Sequence, residues 1–540
     1  MKNQIIDKKK SINRYYLLMM LLGLNCICFA QNTQKPNIII ILADDLGFSD
    51  IGCYGSEIKT PNLDLLAANG AKFTQFYNNA RCCPSRASLL TGVYPHQAGI
   101  GDMVEKKVIK NRITETPYQG WLSKNTVTIA EVLKTAGYQT YISGKWHVGE
   151  ERQDWPLQRG FDNFFGLVNG TSSYYELLPT PNHLILENNE PYIIPENFYM
   201  TDAISDKAVG YIDLNKTTNK PFFMYVAYTA PHYPLHAPAE EIAKYKRKYL
   251  KGWDILRKER FEKQQKIGLL PKNILLSVRE ASVPSWESVT NKEEWDMKMA
   301  TYAAMITRMD AGIGKIVAKL KATGKLENTI IFFMADNGAS AEEISGRVKT
   351  DVGSENYDAT LTKTIGAKGS YVGLDKPWAI MGNTPFRFYK IFTHEGGISS
   401  PLIVSYPKMI KKGFQTNQIV QIMDIMPTCL DLSGATYPTT FNTHSIKPIE
   451  GLSLLPIIMG KTRKPQDFLA WEHQDSRAIR QGNWKIVWAK TIKKWELYDL
   501  ENDRIESNDL SLKFPEQLNQ MITIYEKWAL KVGVKTIVKN

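Results

Sequence analysis

The chain reads as an α/β protein in which a large mixed sheet is sandwiched by helices and a small α+β unit follows. Three observations predict this. Apolar runs at 36–42, 221–228 and 329–334 lack the polar alternation of half-exposed strands, as expected of strands buried on both faces. Between them, Tyr302, Met305, Ile306, Met309, Ile313, Ile316, Val317 and Leu320 keep helical spacing and mark one core-facing stripe. Beyond residue 460 the pattern changes to short alternating runs separated by turns, closed by a helix over 515–532. At 540 residues the chain is too long for one small core, which agrees with a large domain and a smaller appendage.

The first 30 residues stand apart. Lys8, Lys9, Lys10 and Arg14 precede an apolar run from Tyr15 to Phe29, and Ala30 supplies a small residue before Gln31. This is the pattern of a secretory signal peptide, too short and wrongly flanked for a membrane span. Cys26 and Cys28 fit a lipoprotein site poorly, so the chain is expected to be exported to the periplasm or beyond without a lipid anchor. The expected organisation is signal peptide 1–30, catalytic domain 31–460 and C-terminal subdomain 461–540. Removing the leader lowers the formal charge from +12 to +8, a modestly basic balance that fits attraction to an anionic substrate and equally fits solubility alone. No basic run interleaved with aromatics points to nucleic acid. Cys53, Cys82, Cys83 and Cys429 remain, enough for one disulfide but not for a disulfide scaffold.

In chain order, the first strand ends in Asp44-Asp45, two adjacent carboxylates where open α/β sheets place ligands. Their mutual repulsion makes sense around a divalent cation. Thr60-Pro61-Asn62 opens a short helix that stops at Asn69-Gly70, and residues 71–77 form a strand. Arg81-Cys82-Cys83-Pro84-Ser85-Arg86 then begins a helix, because Pro84 suits a first turn and Thr91-Gly92 ends it. Cys82 therefore lies at a helix N-terminus with Arg86 one turn on, a setting that favours an anion or a reactive thiol. Thr128 and Glu131 make a capping box, and the strand over 138–143 delivers Lys145 and His147. Prolines on both sides fix the backbone at His232, with His236 a weaker candidate. Residues 240–290 read as a basic, helix-rich excursion over the surface. The 329–334 strand ends in Asp336-Asn337, and a long loop over roughly 339–380 leads to the segment ending in Lys390. Further core elements are expected at 401–405, 424–432 and 452–459.

Four strand ends thus supply Asp44, Asp45, Lys145, His147, His232, Asp336 and Asn337, while the helix start supplies Cys82 and Arg86. Three carboxylates and an amide oxygen suit a hard cation such as calcium or magnesium better than zinc. The run from Cys82 through Pro84-Ser85-Arg86 to Leu89, Thr91 and Gly92 resembles the signature of the type I sulfatases, Cys-x-Pro-Ser-Arg-x-x-Leu-x-Thr-Gly. Cys83 takes the variable position. The resemblance runs on to Trp495-Glu496-Leu497-Tyr498, and the 383–390 segment looks like the bacterial arylsulfatase branch.

The resemblance implies an alkaline-phosphatase-like fold and hydrolysis of sulfate esters, of aryl compounds or carbohydrates. It implies that Cys82 is oxidised to a formylglycine by a maturation enzyme before export, and that the hydrated aldehyde attacks sulfur. Calcium would be held by Asp44, Asp45, Asp336 and Asn337, with the modified Cys82 completing the shell. Lys145 and Lys390 would stabilise sulfate charge, Arg86 would hold the nucleophile, and Asp336 would accept its proton. His232 would protonate the leaving alcohol, and His147 would help expel sulfate from the sulfated intermediate. A phosphodiesterase or phosphonate hydrolase of the same superfamily would use nearly the same groups, and a binder of sulfated glycan would keep the thiol. His96, Met103, Trp378 and His473 are candidates to line the substrate pocket.

Overall fold

A computed structural model describes residues 34–104, 116–177, 184–218, 220–344 and 363–535. The expected signal peptide lies outside them, as does part of the loop over 339–380. The chain enters the main sheet with β1 (Asn37–Ala43), followed by β2 (Ala71–Tyr77), β3 (Gln139–Gly144) and β4 (Asn163–Leu167). A ribbon of β5 (Ile185–Glu187) and β6 (Glu190–Pro191) precedes β7 (Phe222–Ala227) and β8 (Thr329–Ala335). The sheet is completed by β9 (Ser399–Ser405), β10 (Phe414–Thr416) and β11 (Val420–Gln421).

In space the order is β10-β2-β9-β8-β1-β7-β3-β4-β5-β6, with β11 beside β2. β8, β1, β7, β3 and β4 are mutually parallel, and β9 runs against both β8 and β2. That arrangement decides where chemistry can sit. The C-terminal ends of β1, β2, β3, β7 and β8 all open on one edge, and the segment entering β9 reaches the same edge from the other side.

β1 shows how the core is divided. Ile39, Ile41 and Ala43 face a layer containing the long helix Lys292–Ala322 and the helix Met200–Leu214. Ile38, Ile40 and Leu42 face the layer of helices Cys82–Thr91, Ile129–Thr135 and Ile425–Ser433. The period-two alternation of a strand thus feeds two cores from one apolar run. The Thr128–Glu131 capping box forms as expected, with Glu131 N–H donating to Thr128 Oγ1 at 3.0 Å.

The 240–290 segment corrects an expectation. It is packed into the fold rather than laid over it. Trp253 opens the helix Trp253–Lys266 and meets Trp286, Trp295 and Trp378 at ring-centroid distances of 4.9, 5.4 and 5.4 Å. Buried Arg260 donates to Asp50 at 2.6 Å and to Glu57 at 2.8 and 3.0 Å. The basic composition that suggested a solvated excursion is in part a set of matched buried charges.

A ribbon of β12 (Thr440–Phe441) and β13 (His444–Ser445) precedes the second sheet. This is antiparallel β14 (Leu469–His473), β15 (Ser476–Gln481), β16 (Trp484–Trp488) and β17 (Trp495–Asp499). Ile479, Ile486 and Leu497 on one face pack in the same core cluster as Met521, Tyr525 and Trp528 of the helix Pro515–Val532. Leu469, Trp471, Ala478 and Val487 cluster instead with Tyr77, Ala80 and Ile398 of the main domain. The second sheet therefore backs directly onto the chain that leads into the Cys82 helix.

Candidate active site

Each expected strand end arrives at the common edge. After β1, Asp45 takes a left-handed backbone with φ 65°, turning the chain so that adjacent carboxylates project into one space. β3 ends at Gly144 with φ 122°, where an added Cβ would stand 1.9 Å from the Ala227 carbonyl oxygen. Only glycine lets β3 and β7 approach this closely before the chain releases Lys145. His147 follows with φ 55°. Cys82 is the first residue of its helix and is buried.

The site is a dense ion network. Lys145 Nζ donates to Asp44 Oδ2 at 2.6 Å. Arg86 donates to Asp336 Oδ2 at 2.8 Å and lies 3.5 Å from Asp44 Oδ2. It also donates to the Lys145 carbonyl at 3.1 Å, fixing the helix against the end of β3. Lys390 Nζ lies 2.8 Å from the Asp45 carboxylate and 3.1 Å from Glu342. Asn337 Nδ2 donates to Asp45 Oδ1 at 2.6 Å, and the Asp45 N–H donates to Asp336 Oδ1 at 3.2 Å. Ser85 ties the signature to β8 by donating to the Asp336 carbonyl at 2.5 Å.

These contacts set the protonation states. Burial works to raise the Asp44 carboxyl, but Lys145, His232 and Arg86 outweigh it and hold it at about 2. Asp336 is pushed well above the usual carboxylate range by burial and by Asp44, despite Arg86. A hydrogen bond from Cys83, with the charges of Lys145 and His147, holds the Cys82 thiol far below its ordinary value against the cost of burial. Burial lowers His232, whose Nδ1–H donates to the Tyr233 carbonyl at 2.7 Å. Its Nε2 lies 3.5 Å from Asp45 Oδ2.

Two clusters of potential ligand atoms result, each lying within 4.8 Å: Asp44 with Asp45 and His232, and Cys82 with Cys83 and His147. Buried Asp44 Oδ1 and Asn337 Oδ1 have no hydrogen-bond partner among the described residues. Leaving two such oxygens unsatisfied is costly, and a cation between them removes the cost. An all-oxygen set of Asp44, Asp45, Asp336 and Asn337 fits a hard cation.

All nine residues expected at strand ends or in the signature come together, and Lys390 joins them. Cys82 meets the carboxylates through electrostatics, while its short-range partners are Cys83 and His147. Glu342, which pairs with Lys390 and with Arg81 at 3.0 Å, was not foreseen. It sits in a loop with no strand end or turn signal to mark it. Tyr225, whose hydroxyl lies 3.4 Å from Arg86, reads in sequence only as one apolar residue of β7.

Of the pocket candidates, Met103 accepts from Arg81 Nε at 3.1 Å, and His96 Nε2 pairs with Glu472 at 2.7 Å. Trp378 does not line the site. It is enclosed by Trp253 and Trp286, and its indole N–H donates to the Trp295 carbonyl at 2.9 Å. His236 is structural, donating from Nε2 to the Ser370 carbonyl at 2.7 Å. Cys53, Cys82, Cys83 and Cys429 are all free thiols, so the single disulfide that composition allowed does not form.

Residues 36–435 match the family described as Sulfatase. The chain belongs to the sulfatase family. Residues 385–527 match a second family, described as N-sulphoglucosamine sulphohydrolase, C-terminal. An uncharacterized sulfatase of Schizosaccharomyces pombe is 35% identical, covering 93% of this chain and 95% of its own length. The arylsulfatase of Klebsiella aerogenes is 32% identical over 80% of this chain and 94% of its own, in keeping with a bacterial arylsulfatase-like branch. Among solved structures, Ps i-CgsB in complex with k-i-k-neocarrahexaose superposes with a TM-score of 0.67 at 28% identity, covering 92% of this chain and 93% of its own. The sulfatase has the expected alkaline-phosphatase-like architecture, a mixed sheet between helices, and is a sulfuric ester hydrolase.

Proposed function

We propose that this sulfatase cleaves O-sulfate esters of carbohydrates, with aryl sulfates as serviceable substitutes, through a formylglycine made from Cys82. Calcium would be held by Asp44, Asp45, Asp336 and Asn337, with the modified Cys82 closing the shell. One observation carries the reading. The oxygens of Asp44 and Asn337 that have no partner among the described residues belong to the same buried network as Cys82 at its helix start. Sulfate has the charge and oxygen-rich surface that Lys145, Lys390 and such a cation would neutralise together.

When bound, the cation supplies positive charge for sulfate oxygens, and the modification supplies an attacking hydroxyl. Lys145 and Lys390, both buried, add fixed charge where charge builds in the transition state. Arg86 holds Asp336 against the helix that carries Cys82. Asp336, made more basic by its surroundings, accepts the nucleophile's proton. His232 has its Nδ1–H committed to the Tyr233 carbonyl, so it is the doubly protonated ring, favoured against burial by Asp45 at 3.5 Å, whose Nε2 delivers the proton to the leaving alcohol. His147, hydrogen-bonded to the Cys82 side chain, takes the proton whose removal releases sulfate.

Among the described residues no helix is long and apolar enough to cross a membrane. With the leader over 1–30, this supports export to the periplasm or beyond after Cys82 has been modified in the cytoplasm. Residues 31–460 would form the catalytic domain and 461–540 a subdomain packed against the chain that leads into the Cys82 helix.

Peptide mass spectrometry on protein from a host with a formylglycine-generating enzyme tests the reading, alongside turnover of sulfated sugars before and after chelation. Conversion of the Cys82 thiol to an aldehyde, with activity lost to chelator and restored by calcium, is expected. An unmodified thiol in active protein, or faster turnover of phosphate diesters than of sulfates, would overturn it.

A further inference from the structure

Two polar side chains beside the nucleophile have buried nitrogens with no hydrogen-bond partner among the described residues. Leu469, Trp471 and His473 alternate with their neighbours along β14 and so share one face of the strand. Trp471 fixes that face against the chain before the signature, its indole N–H donating to the Asn78 carbonyl at 2.7 Å. Two residues on, an advance of about 6–7 Å along a strand, His473 comes under the charges of Arg81, Glu472, Asp102 and Cys82. It is fully buried, and neither ring nitrogen has a hydrogen-bond partner among the described residues. Burial lowers its pKa to about 4, so at neutral pH the ring offers one donor and one acceptor.

Arg81 is the companion. Its Nη2 is taken by Glu342 at 3.0 Å and its Nε by Met103 at 3.1 Å, while buried Nη1 has no partner among the described residues. The bonds that are made hold the guanidinium still, so the third donor is presented in a fixed direction. The surroundings are equally fixed. Gln474 donates to Asp102 at 3.1 Å, and Glu472 is held by His96 and by the Tyr118 hydroxyl at 3.1 Å. The Asp102 carbonyl lies 3.7 Å from Cys83 Sγ, and Glu342 joins Arg81 to Lys390, so Arg81 and the residues around it adjoin the sulfate site.

Resting on the sulfatase reading above, we propose that Arg81 and His473 are specificity-determining residues that hydrogen-bond the hydroxyl or ring oxygens of the sugar bearing the sulfate. A flat aryl group cannot satisfy them. A pyranose carries vicinal donors and acceptors that can, and a site with buried polar groups discriminates strongly against ligands that leave them unpaired. The sugar bearing the sulfate would be held where the signature meets β14. The second sheet contributes a side chain to substrate recognition as well as packing behind the site.

The test compares wild type, His473→Ala, His473→Gln and Arg81→Lys, each calcium-loaded and with formylglycine content at Cys82 verified by mass spectrometry. Substrates are a panel of O-sulfated monosaccharides and disaccharides and 4-nitrophenyl sulfate. We expect His473→Ala and Arg81→Lys to lower kcat/KM toward the best sugar at least about 10-fold more than toward the nitrophenyl ester. His473→Gln, which keeps a donor and an acceptor, should recover part of that loss. Equal losses on both substrates would assign the pair to holding Cys82 and overturn the proposal, as would no loss on the sugar. If His473→Ala does not fold, Arg81→Lys decides by the same ratio. Failure of the underlying sulfatase reading looks different, because wild type with modified Cys82 would then hydrolyse no sulfate ester at all.

Discussion

At the scale of single residues, Cys82 and Cys83 are sequence neighbours in different chemical settings. Cys82 is acidified by Cys83, Lys145 and His147, whereas Cys83 Sγ packs 3.6 Å from the Met103 sulfur. Cys82→Ala should abolish turnover and leave the thermal melt nearly unchanged, since it removes one sulfur atom from a helix start. Cys83→Ala should retain activity within about tenfold, because Cys83 supports its neighbour by a hydrogen bond and packing but is not itself the nucleophile. Loss of activity in the second variant would show that the signature has been read one residue out of register. His232 makes a separate claim. If it protonates the leaving oxygen, His232→Ala should slow sulfated sugars by about 10²–10⁴-fold. Nitrophenyl sulfate, whose leaving group needs little help, should slow far less. Equal effects on the two would remove His232 from that role. Asp45 and His147 hold left-handed backbones that cost about 1–3 kcal/mol each, tolerated because both strand ends must turn side chains into one space.

At the scale of elements, the site follows from topology. Parallel β1, β3, β7 and β8 deliver their C-termini to one edge, so Asp44, Lys145, His232 and Asp336 were legible wherever an apolar run stopped in polar residues. Local signals explain the rest of that legibility, since Pro84 and Gly92 bracket the Cys82 helix and Thr128 caps the next one. What was not legible depended on long-range pairing. Glu342 gains its role from Lys390 and Arg81, which no local pattern connects to it. His473 was visible only as a pocket candidate, because its unpaired nitrogens are a property of packing. The 240–290 segment was misread for the same reason: a basic helix looks solvated until its partners are known. Arg260 meets buried Asp50 and half-buried Glu57, and leaving Asp50 in the interior without its cation is expensive. Arg260→Met should therefore destabilise the enzyme by about 3–5 kcal/mol in urea unfolding at neutral pH. A change below about 1 kcal/mol would restore the view of a surface excursion.

At the scale of the whole molecule, a second buried charge cluster joins the two sheets. Glu395, just before β9, lies 3.0 Å from Lys485 of β16 and 3.1 Å from Arg504. Lys485 also meets Glu506 at 2.7 Å, and the Tyr77 hydroxyl donates to Glu395 at 2.9 Å while accepting from Arg480 of β15. Burial alone would raise Glu395, but Lys485, Arg504 and Arg480 prevail and hold it at about 2, against 4.5 for a free side chain. A carboxylate lowered on folding contributes stability that is complete above its unfolded pKa and drains away as pH falls through the folded value. The window for Glu395 is thus from about pH 4.5 down to about 2. Melting temperatures of wild type and Glu395→Gln across pH 7 to 2.5 isolate this group, because every other carboxylate titrates in both proteins. The variant should start lower at pH 7, since Lys485 and Arg504 lose a buried counter-charge. The gap should then narrow as acid protonates Glu395 in the wild type. Parallel curves would mean that the pair of sheets is held by apolar packing alone. Convergence would mean that the charge cluster clamps the second sheet to the segment that carries Lys390, so that acid loosens the site and the sheet behind it together.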